Sequence, residues 1–210
     1  MGGVSDVFQG DNSKYGEKCM KNIVILISGS GSNMAAIVQT AKNQGWTDKF
    51  GARVALVASN KADAGGLAIA RVHGIATASI DHKAFDSRAA FDAELIRQID
   101  PYAPVLVVLA GFMRILTPEF VTHYEGRLLN IHPSLLPAFT GMNTHQRAID
   151  AGCRFAGATV HRVTAELDVG PILAQAAVPI LPCDTASALA ARVQSQEHLI
   201  YPQAIAALLE

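Results

Sequence analysis

Short apolar segments recur along this chain and alternate with longer amphipathic ones. Residues 23–27 and 105–110 are continuous apolar runs rich in β-branched side chains, and both are too short to cross a membrane. A strand that is apolar on both of its faces is typical of a parallel sheet covered by helices. The alternation therefore predicts an α/β fold, in which a mostly parallel, Rossmann-like twisted sheet carries helices on both faces.

The same patterns give the order of the elements. We predict strands at residues 23–27, 53–59, 75–80, 105–110, 127–131, 157–163 and 172–179. We predict helices at residues 34–44, 64–73, 84–98, 118–123, 144–151 and 185–209, the last one interrupted near Pro202. The carboxyl ends of three predicted strands coincide with the segments 28–33, 111–114 and 130–132. Because ligands of such sheets bind outside the carboxyl ends of the strands, we expect these segments to form one site.

Length and charge limit the class of protein. A chain of 210 residues, half of them hydrophobic, fits a single domain over residues 21–210. Residues 1–20 are polar, Gly-rich and aperiodic, and we expect a disordered leader or upstream extension, with Met20 as the natural start. The formal net charge of -1 and the lack of a basic run argue against nucleic-acid binding.

The cysteines predict neither a disulfide framework nor a zinc site. Cys19, Cys153 and Cys183 are odd in number and widely spaced. We interpret them as free thiols in a reducing cytosol and expect no metal. No segment has the composition of a secretion signal or a membrane span, so we predict a cytoplasmic protein without a membrane partner.

A carboxamide and an imidazole stand two positions apart at Asn130 and His132. In an extended segment such residues point to the same side, and Pro133 biases His132 toward extended geometry. The two groups suit the stabilisation of an oxyanion and a proton transfer. The alternative is the end of a strand with a solvated histidine before a turn.

A Gly/Ser loop joins the first predicted strand to the first helix, with the sequence Gly29-Ser30-Gly31-Ser32-Asn33. It lacks the third glycine of a dinucleotide fingerprint, because Met34 occupies that position, and it lacks the Gly-Lys-Ser/Thr ending of a P-loop. Backbone amides at a helix N-terminus can bind a monophosphate. An ordinary tight turn fits the same residues.

Two further segments are candidates for the site. Residues 111–116 combine a glycine with apolar side chains, which could line a flat aromatic pocket or could simply cap the core. Asp168 could orient and charge His132, although a carboxylate close before Gly170-Pro171 is often a turn residue. We interpret His145 and His161 as structural or supporting residues.

Taken together, these segments resemble the glycinamide ribonucleotide (phosphoribosylglycinamide) formyltransferases of purine synthesis. The resemblance extends from Met20 to the end of the chain. It is carried by Ile27-Ser28-Gly29-Ser30-Gly31-Ser32-Asn33, Ser59-Asn60-Lys61-Ala62-Asp63, Ala110-Gly111-Phe112-Met113-Arg114, Asn130-Ile131-His132-Pro133-Ser134-Leu135-Leu136-Pro137, Glu166-Leu167-Asp168 and Arg192-Val193-Gln194-Ser195-Gln196-Glu197-His198. The Asn-x-His-Pro-Ser core with a later Asp also occurs in methionyl-tRNA formyltransferases and formyltetrahydrofolate deformylases.

The resemblance implies the formyltransferase fold and a reaction between two small molecules. A formyl group passes from the co-substrate 10-formyltetrahydrofolate to the glycyl amine of the ribonucleotide, without a metal, in a monomer or homodimer. Residues 21–125 would bind the ribonucleotide and its phosphate, and residues 126–210 would bind folate and carry the catalytic groups.

Individual roles follow from the same resemblance. The catalytic residues would be Asn130, His132 and Asp168. The phosphate would be held by Gly31, Ser32 and Asn33, and the rest of the ribonucleotide by Gly111, Pro133 and Glu197. Folate would be bound by Arg88, Met113, Arg114, Ile115, Leu116, Val163 and Glu166.

The chain departs from the family in two loops. Residues 138–143 read Ala-Phe-Thr-Gly-Met-Asn and lack the basic residue, the internal proline and the first of two histidines. Ala165 and Val169 replace a common acid and a common glycine. These changes bear on folate affinity and loop order. The chain also ends at Glu210, before the terminal hairpin of relatives, which leaves open a short member or a shortened chain.

Other functions need features that this sequence lacks. A methionyl-tRNA formyltransferase needs a second, nucleic-acid-binding domain, and a formyltetrahydrofolate hydrolase needs a regulatory domain longer than the leader. Sugar-nucleotide N-formyltransferases need more chain for their specificity elements. A folate- or nucleotide-binding relative without activity is opposed by the intact Asn130, His132 and Asp168.

Overall fold

The computed structural model describes residues 20–210, and one seven-stranded sheet runs through them. In chain order its strands are β1 (Lys21–Ile27), β2 (Ala52–Ser59), β3 (Ala76–Ser79), β4 (Pro104–Leu109), β5 (Leu128–His132), β6 (Phe155–Arg162) and β7 (Ile172–Pro179). The seven predicted strands are all present, and their ends differ from the predicted ones by a few residues at most.

Helices connect most of the strands. They are α1 (Ser32–Asn43), α2 (Trp46–Phe50), α3 (Gly65–Val72), α4 (Arg88–Ile99), α5 (Pro118–His123), α6 (Thr144–Asp150) and α7 (Ala186–Leu209), with 3-10 turns at His82–Ala84 and Asp100–Tyr102. The side chains of Ser87, Thr117 and Thr185 cap α4, α5 and α7, because each accepts a hydrogen bond from a backbone N–H in the first turn.

The sheet reverses its strand order between β1 and β4. Its order is β3-β2-β1-β4-β5-β6-β7, with parallel pairing from β3 through β5 and antiparallel pairing for β6 and β7. The prediction of a mostly parallel α/β sheet is confirmed. The reversal leaves a crevice at the carboxyl ends of β1 and β4, which is where sheets of this kind bind ligands.

Helices cover both faces of the sheet, and the alternation of β1 shows why its sequence is apolar throughout. Ile23, Ile25 and Ile27 pack into a core that includes residues of α1 and α7. Val24 and Leu26 point to the opposite face, into a second core with residues of α4 and α5. All five side chains are completely buried. A two-sided core therefore requires the continuous apolar run seen in the sequence.

Two predictions about helices were wrong in detail, and one short helix was missed. Helix α7 is not interrupted, since it continues through Pro202 to Leu209. Tyr201 and Ile205 pack into the same core as β1, and Pro202 is also buried. This burial outweighs the hydrogen bond that a proline cannot donate. Helix α4 begins at Arg88 rather than residue 84, because Ser87 is its cap. The short α2, Trp46–Phe50, was not predicted.

The expected leader, the start at Met20 and the reading of Cys19 concern residues at or before the edge of the described chain, and residues 1–19 lie outside it. Among the described residues Cys153 and Cys183 are free thiols. The sheet is continuous between the two predicted halves, because β4 pairs with β5. The assignment of one half to the ribonucleotide and the other to folate stays a prediction.

Candidate active site

Two of the three candidate catalytic residues lie on β5, which pairs with the antiparallel strand β6. Asn130 and His132 are on β5, where Asn130 is paired with His161 of β6 and His132 with Thr159. The two-residue period of a strand places Asn130 and His132 on the same side, as the sequence predicts. The pairing with β6 adds a second histidine, His161, to that side of the sheet.

His161 determines how the amide of Asn130 is turned. Its Nδ1 lies 3.0 Å from the carbonyl oxygen of Arg162, and its Nε2 lies 3.3 Å from Asn130 Nδ2. Burial lowers the pKa of His161, which is 2% exposed, so that the neutral ring is favoured near pH 7. The Nδ1–H then donates to Arg162, and Nε2 accepts a hydrogen from Asn130.

His132 is held between two acceptors. Its Nδ1 lies 3.4 Å from Asp168 Oδ2, and its Nε2 lies 3.0 Å from the carbonyl oxygen of Phe139. Both His132 and Asp168 are more than nine-tenths buried. A ring protonated on both nitrogens can donate to both partners at once. The structure thus brings together the three residues that the sequence suggested for catalysis.

The loop that carries Asp168 folds back to bring its carboxylate to His132. Strand β6 ends beside the start of β5, where Val163 N donates to Leu128 O, so the following loop must fold back toward His132. Gly170 permits this, because a Cβ there would lie 1.8 Å from the carbonyl oxygen of Arg162. Asp168 itself has a left-handed backbone, with φ 57°.

The atypical loop of residues 138–143 closes against these groups. Asp168 Oδ2 accepts a hydrogen bond of 2.9 Å from the backbone N–H of Gly141, and the Phe139 carbonyl contacts His132 as described above. Phe139 has φ 54°, which is unusual for a residue with a bulky side chain. Backbone groups of this loop therefore engage both His132 and Asp168.

The turn after His132 is fixed by hydroxyl groups. Thr144 Oγ1 donates to the carbonyl oxygen of Pro133 over 2.7 Å, and Thr159 Oγ1 donates to that of Ser134 over 2.7 Å. Thr159 is completely buried. These bonds connect the start of α6 and the strand β6 to the segment that carries His132, and they hold Pro133 beside it.

The Gly/Ser loop leads directly into α1. Gly31 has φ 75°, and a Cβ there would lie 2.7 Å from the Cα of Gly66, so no other residue fits. No side chain caps the N-terminus of α1. Its first backbone amides are therefore available to an anion such as a phosphate.

A buried carboxylate lies next to this loop. Glu197 on α7 accepts a hydrogen bond of 2.7 Å from Asn33 Nδ2, and Gln194 Nε2 donates to Ser32 Oγ over 3.0 Å. Burial raises the pKa of Glu197, and the bond from Asn33 partly opposes that rise. The structure thus places Glu197, predicted to hold the ribonucleotide, directly against Asn33, predicted to hold its phosphate.

The loop of residues 111–116 lines the other side of the crevice. Gly111 has φ 75° and open space where a Cβ would lie. Met113 and Ile115 are 67% and 62% exposed, whereas Leu116 packs against the second core. Such exposed apolar side chains beside a polar site are typical of a surface that binds an aromatic ligand.

The remaining candidate folate residues are less tightly grouped. Burial raises the pKa of Asp92, and hydrogen bonding by Thr117 and the positive charges of Arg114 and Arg88 oppose that rise. Val163 packs against the second core, and Glu166 is exposed on the loop that carries Asp168. The folate-binding role of Arg88, Arg114, Val163 and Glu166 stays a prediction.

Comparison with known proteins decides the family. The sequence model described as formyl transferase matches residues 21–205. The chain belongs to the formyl transferase family.

Three similar proteins illustrate what this chain resembles. A phosphoribosylglycinamide formyltransferase of Escherichia coli is 56% identical over 184 residues, which cover 88% of this chain and 85% of the relative. The crystal structure of one from Brucella melitensis is 50% identical, with a TM-score of 0.84, over 90% of this chain and 96% of that one. A glycinamide ribonucleotide transformylase from Symbiobacterium toebii is 45% identical, with a TM-score of 0.85, over 90% and 88% of the two chains. The resemblance drawn from six sequence segments is confirmed.

The structure gives one supporting residue of this formyl transferase a specific partner. His161 was interpreted as structural or supporting, and the structure makes it the direct partner of Asn130. Its pairing opposite Asn130 depends on the antiparallel register of β5 and β6, for which the sequence carries no local signal.

The remaining observations concern metal ions and membrane spans. Within residues 20–210 no group of three His, Cys, Asp or Glu side chains is arranged to hold a metal ion, and the expected independence from metals stays a prediction. No helix of the described part of the chain is long and apolar enough to cross a membrane.

Proposed function

We propose that this chain transfers the formyl group of 10-formyltetrahydrofolate to the glycyl amine of 5'-phosphoribosylglycinamide. The products are formylglycinamide ribonucleotide and tetrahydrofolate, and the reaction belongs to purine biosynthesis. The observation that carries the proposal is the convergence of Asn130, His132 and Asp168 on one buried point. That point lies between a loop suited to a phosphate and a loop suited to an aromatic ligand.

The ribonucleotide would lie on the side of β1 and α7. Its phosphate would accept hydrogen bonds from the amides of Gly31, Ser32 and Asn33 at the uncapped start of α1. Glu197 would accept hydrogen bonds from ribose hydroxyl groups, since it lies against Asn33. Gly111 and Pro133 would contact the glycinamide, and the lack of a side chain at Gly111 supports a close approach.

Folate would lie on the side of β4 and the loop of Asp168. Met113, Ile115 and Leu116 would contact the flat pterin ring, and the exposure of the first two supports this role. Arg88 and Arg114 would pair with the carboxylates of the glutamate tail. Val163 and Glu166 would border the ring from the loop that also carries Asp168.

The reaction would proceed by direct attack. The amine nitrogen forms a bond to the formyl carbon, and the carbonyl oxygen becomes an oxyanion in a tetrahedral intermediate. One N–H of Asn130 Nδ2 faces His161, and the second is free to donate to the oxyanion. The bond from the formyl carbon to the folate nitrogen then breaks, and that nitrogen takes up a proton.

His132 and Asp168 would carry out the proton transfers. Asp168 lies against His132 Nδ1 and would orient the ring, so that an Nε2–H can donate to the oxyanion or to the leaving nitrogen. The oxyanion would replace the Phe139 carbonyl as the acceptor of that hydrogen. Asp168 would take the proton of the attacking amine through water. We propose no metal and no covalent enzyme intermediate.

The proposal also specifies the partners, the compartment and the oligomeric state. Both substrates are small molecules, and a nucleic acid or membrane partner is not part of the reaction. The free thiols of Cys153 and Cys183 suit a reducing compartment, and we place the reaction in the cytosol, with a monomer or homodimer as the active form.

A single assay distinguishes this function from its alternatives. Purified protein is mixed with 10-formyltetrahydrofolate, with and without glycinamide ribonucleotide, and folate absorbance is followed. The proposal predicts release of tetrahydrofolate that depends on the ribonucleotide. Release without the ribonucleotide would indicate a hydrolase, and no release in either case would indicate a binding protein.

A further inference from the structure

Ser28 holds the loop of residues 111–116 at two points. It follows β1 directly and is 4% exposed. Its backbone N–H donates to the carbonyl oxygen of Gly111 over 3.1 Å, and its Oγ accepts a bond of 2.8 Å from the backbone N–H of Met113. The loop is thus attached on both sides of Phe112 to one residue at the centre of the sheet.

Asn60 fixes the hydroxyl group of Ser28. Because Ser28 Oγ accepts from Met113, its single hydrogen is left for Asn60 Oδ1, which lies 2.6 Å away. Asn60 is 2% exposed, and its Nδ2 lies 3.2 Å from His82 Nδ1, which leaves Oδ1 directed at Ser28. A chain of hydrogen bonds therefore runs from the end of β2 through Ser28 to Met113.

Phe112 and Leu116 pack against the second core, and between them the hydrogen bonds from Ser28 hold the backbone at Met113. Met113 and Ile115 are exposed, and Gly111 has no side chain to pack. Buried polar groups that satisfy one another fully are costly to disrupt, because each loses its partner without gaining water. The position of the Met113 backbone therefore depends on Ser28 and, through it, on Asn60.

We infer that Ser28 and Asn60 are positioning residues for the folate-binding loop, and that they act on folate affinity without touching the ligand. The inference rests on the proposed function, in which residues 113–116 bind the pterin. Ser28 holds Gly111, which is predicted to contact the ribonucleotide, through its backbone N–H, and Ser28→Ala keeps that bond. The hydrogen bonds of the Ser28 and Asn60 side chains go to Met113, to His82 and to each other, so the ribonucleotide site should keep its affinity.

The neighbouring Ser59 provides a matched control. It is 1% exposed, and its Oγ accepts from the backbone N–H of Lys61 over 3.1 Å, within its own turn. Ser59→Ala therefore removes an equally buried hydroxyl group from the end of β2 without breaking a bond to the 111–116 loop. Asn60→Asp keeps an oxygen for Ser28, whereas Asn60→Leu removes it.

The test measures two dissociation constants by calorimetry, one for a 10-formylfolate analogue and one for glycinamide ribonucleotide. Loss of one buried hydrogen bond predicts that Ser28→Ala and Asn60→Leu weaken folate binding about tenfold and change ribonucleotide binding less than about twofold. Asn60→Asp should recover most of the folate affinity, and Ser59→Ala should match wild type. In turnover, the folate KM should rise with little change in kcat.

Amide hydrogen exchange provides a readout that needs no substrate. Ser28→Ala and Asn60→Leu should accelerate exchange at Met113, and Ser59→Ala should not. Unchanged exchange at Met113, unchanged folate affinity, or an equal loss of affinity for both ligands would overturn the inference. Absence of formyl transfer by the wild-type protein would instead overturn the proposed function. The binding and exchange measurements would still test the positioning role of Ser28 and Asn60.

Discussion

His161 Nε2 lies 3.3 Å from the carboxamide nitrogen of Asn130, directly across the antiparallel pair of β5 and β6. Burial lowers the pKa of His161, and its Nδ1 faces the carbonyl oxygen of Arg162. The ring is therefore a hydrogen-bond acceptor toward Asn130 at neutral pH. This relationship keeps the nitrogen of the amide, rather than its oxygen, turned into the site.

Removing that acceptor should misorient Asn130. We expect His161→Leu to lower kcat about tenfold, as is typical when a buried polar group loses its partner, with little change in either KM. His161→Gln, which offers an oxygen in the same region, should recover part of the loss. Steady-state kinetics on the purified variants check this, and a kcat of His161→Leu equal to that of wild type would show that Asn130 needs no such partner.

Direct loss of an oxyanion donor should cost more than loss of its support. We expect Asn130→Ala and His132→Ala each to lower kcat at least about a hundredfold, because one donor of this kind is typically worth about 3 kcal/mol. Single-turnover rates with both substrates bound measure the effect on the chemical step. Near-wild-type rates in either variant would remove that residue from the catalytic set.

A substitution in the loop of residues 138–143 should increase activity. A proline at position 140 would disfavour the left-handed backbone that Phe139 adopts with φ 54°. Thr140→Pro should turn the Phe139 carbonyl away from His132 Nε2 and raise kcat/KM for the folate co-substrate about fivefold, the value of one hydrogen bond.

Thr140→Val is the matched control, because it keeps a branched side chain and leaves the backbone of Phe139 unrestricted. Kinetics of the two variants are compared with wild type. A decrease with Thr140→Pro, or an equal increase with Thr140→Val, would contradict the view that the Phe139 carbonyl competes with substrate for His132.

Much of the fold could be predicted from local sequence patterns. The continuous apolar runs report burial on both sheet faces, and capping residues such as Thr117 mark where helices start. Helix α2 escaped prediction because five residues are too few to show a helical period. The glycines at positions 45 and 51, both with positive φ, bracket it and were its only local signal.

What could not be predicted depends on contacts distant in sequence. Pro202 reads locally as a helix break, yet tertiary burial keeps α7 intact. The candidates Asn130, His132 and Asp168 could be recognised from their residue types and spacing. His161 joins them only through the register of β5 and β6. The contact of Asn33 with Glu197 likewise depends on the packing of α1 against α7.

Glu197 should make stability depend on pH. Because burial raises its pKa above the value of 4.5 expected in the unfolded chain, the folded protein holds this proton more tightly. Stability is therefore lost as pH rises from that value through the folded pKa, and the loss persists at neutral pH. Glu197→Gln removes the charge and keeps an oxygen for Asn33.

The variant should unfold at a Tm at least about 2 °C above wild type at pH 7, and the difference should shrink toward pH 4.5. Calorimetric scans across this range measure it, and affinity for the ribonucleotide should fall in the same variant. A Tm gain that does not change with pH would mean that the charge of Glu197 is not the cause.

The central claim is that the formyl group passes directly between two bound small molecules at Asn130, His132 and Asp168. The most direct measurement follows an isotopically labelled formyl carbon from 10-formyltetrahydrofolate into products by mass spectrometry. The label should appear in formylglycinamide ribonucleotide in proportion to the tetrahydrofolate released, and Asp168→Asn should slow both together. Label recovered as free formate, at a rate that does not depend on the ribonucleotide, would contradict the account.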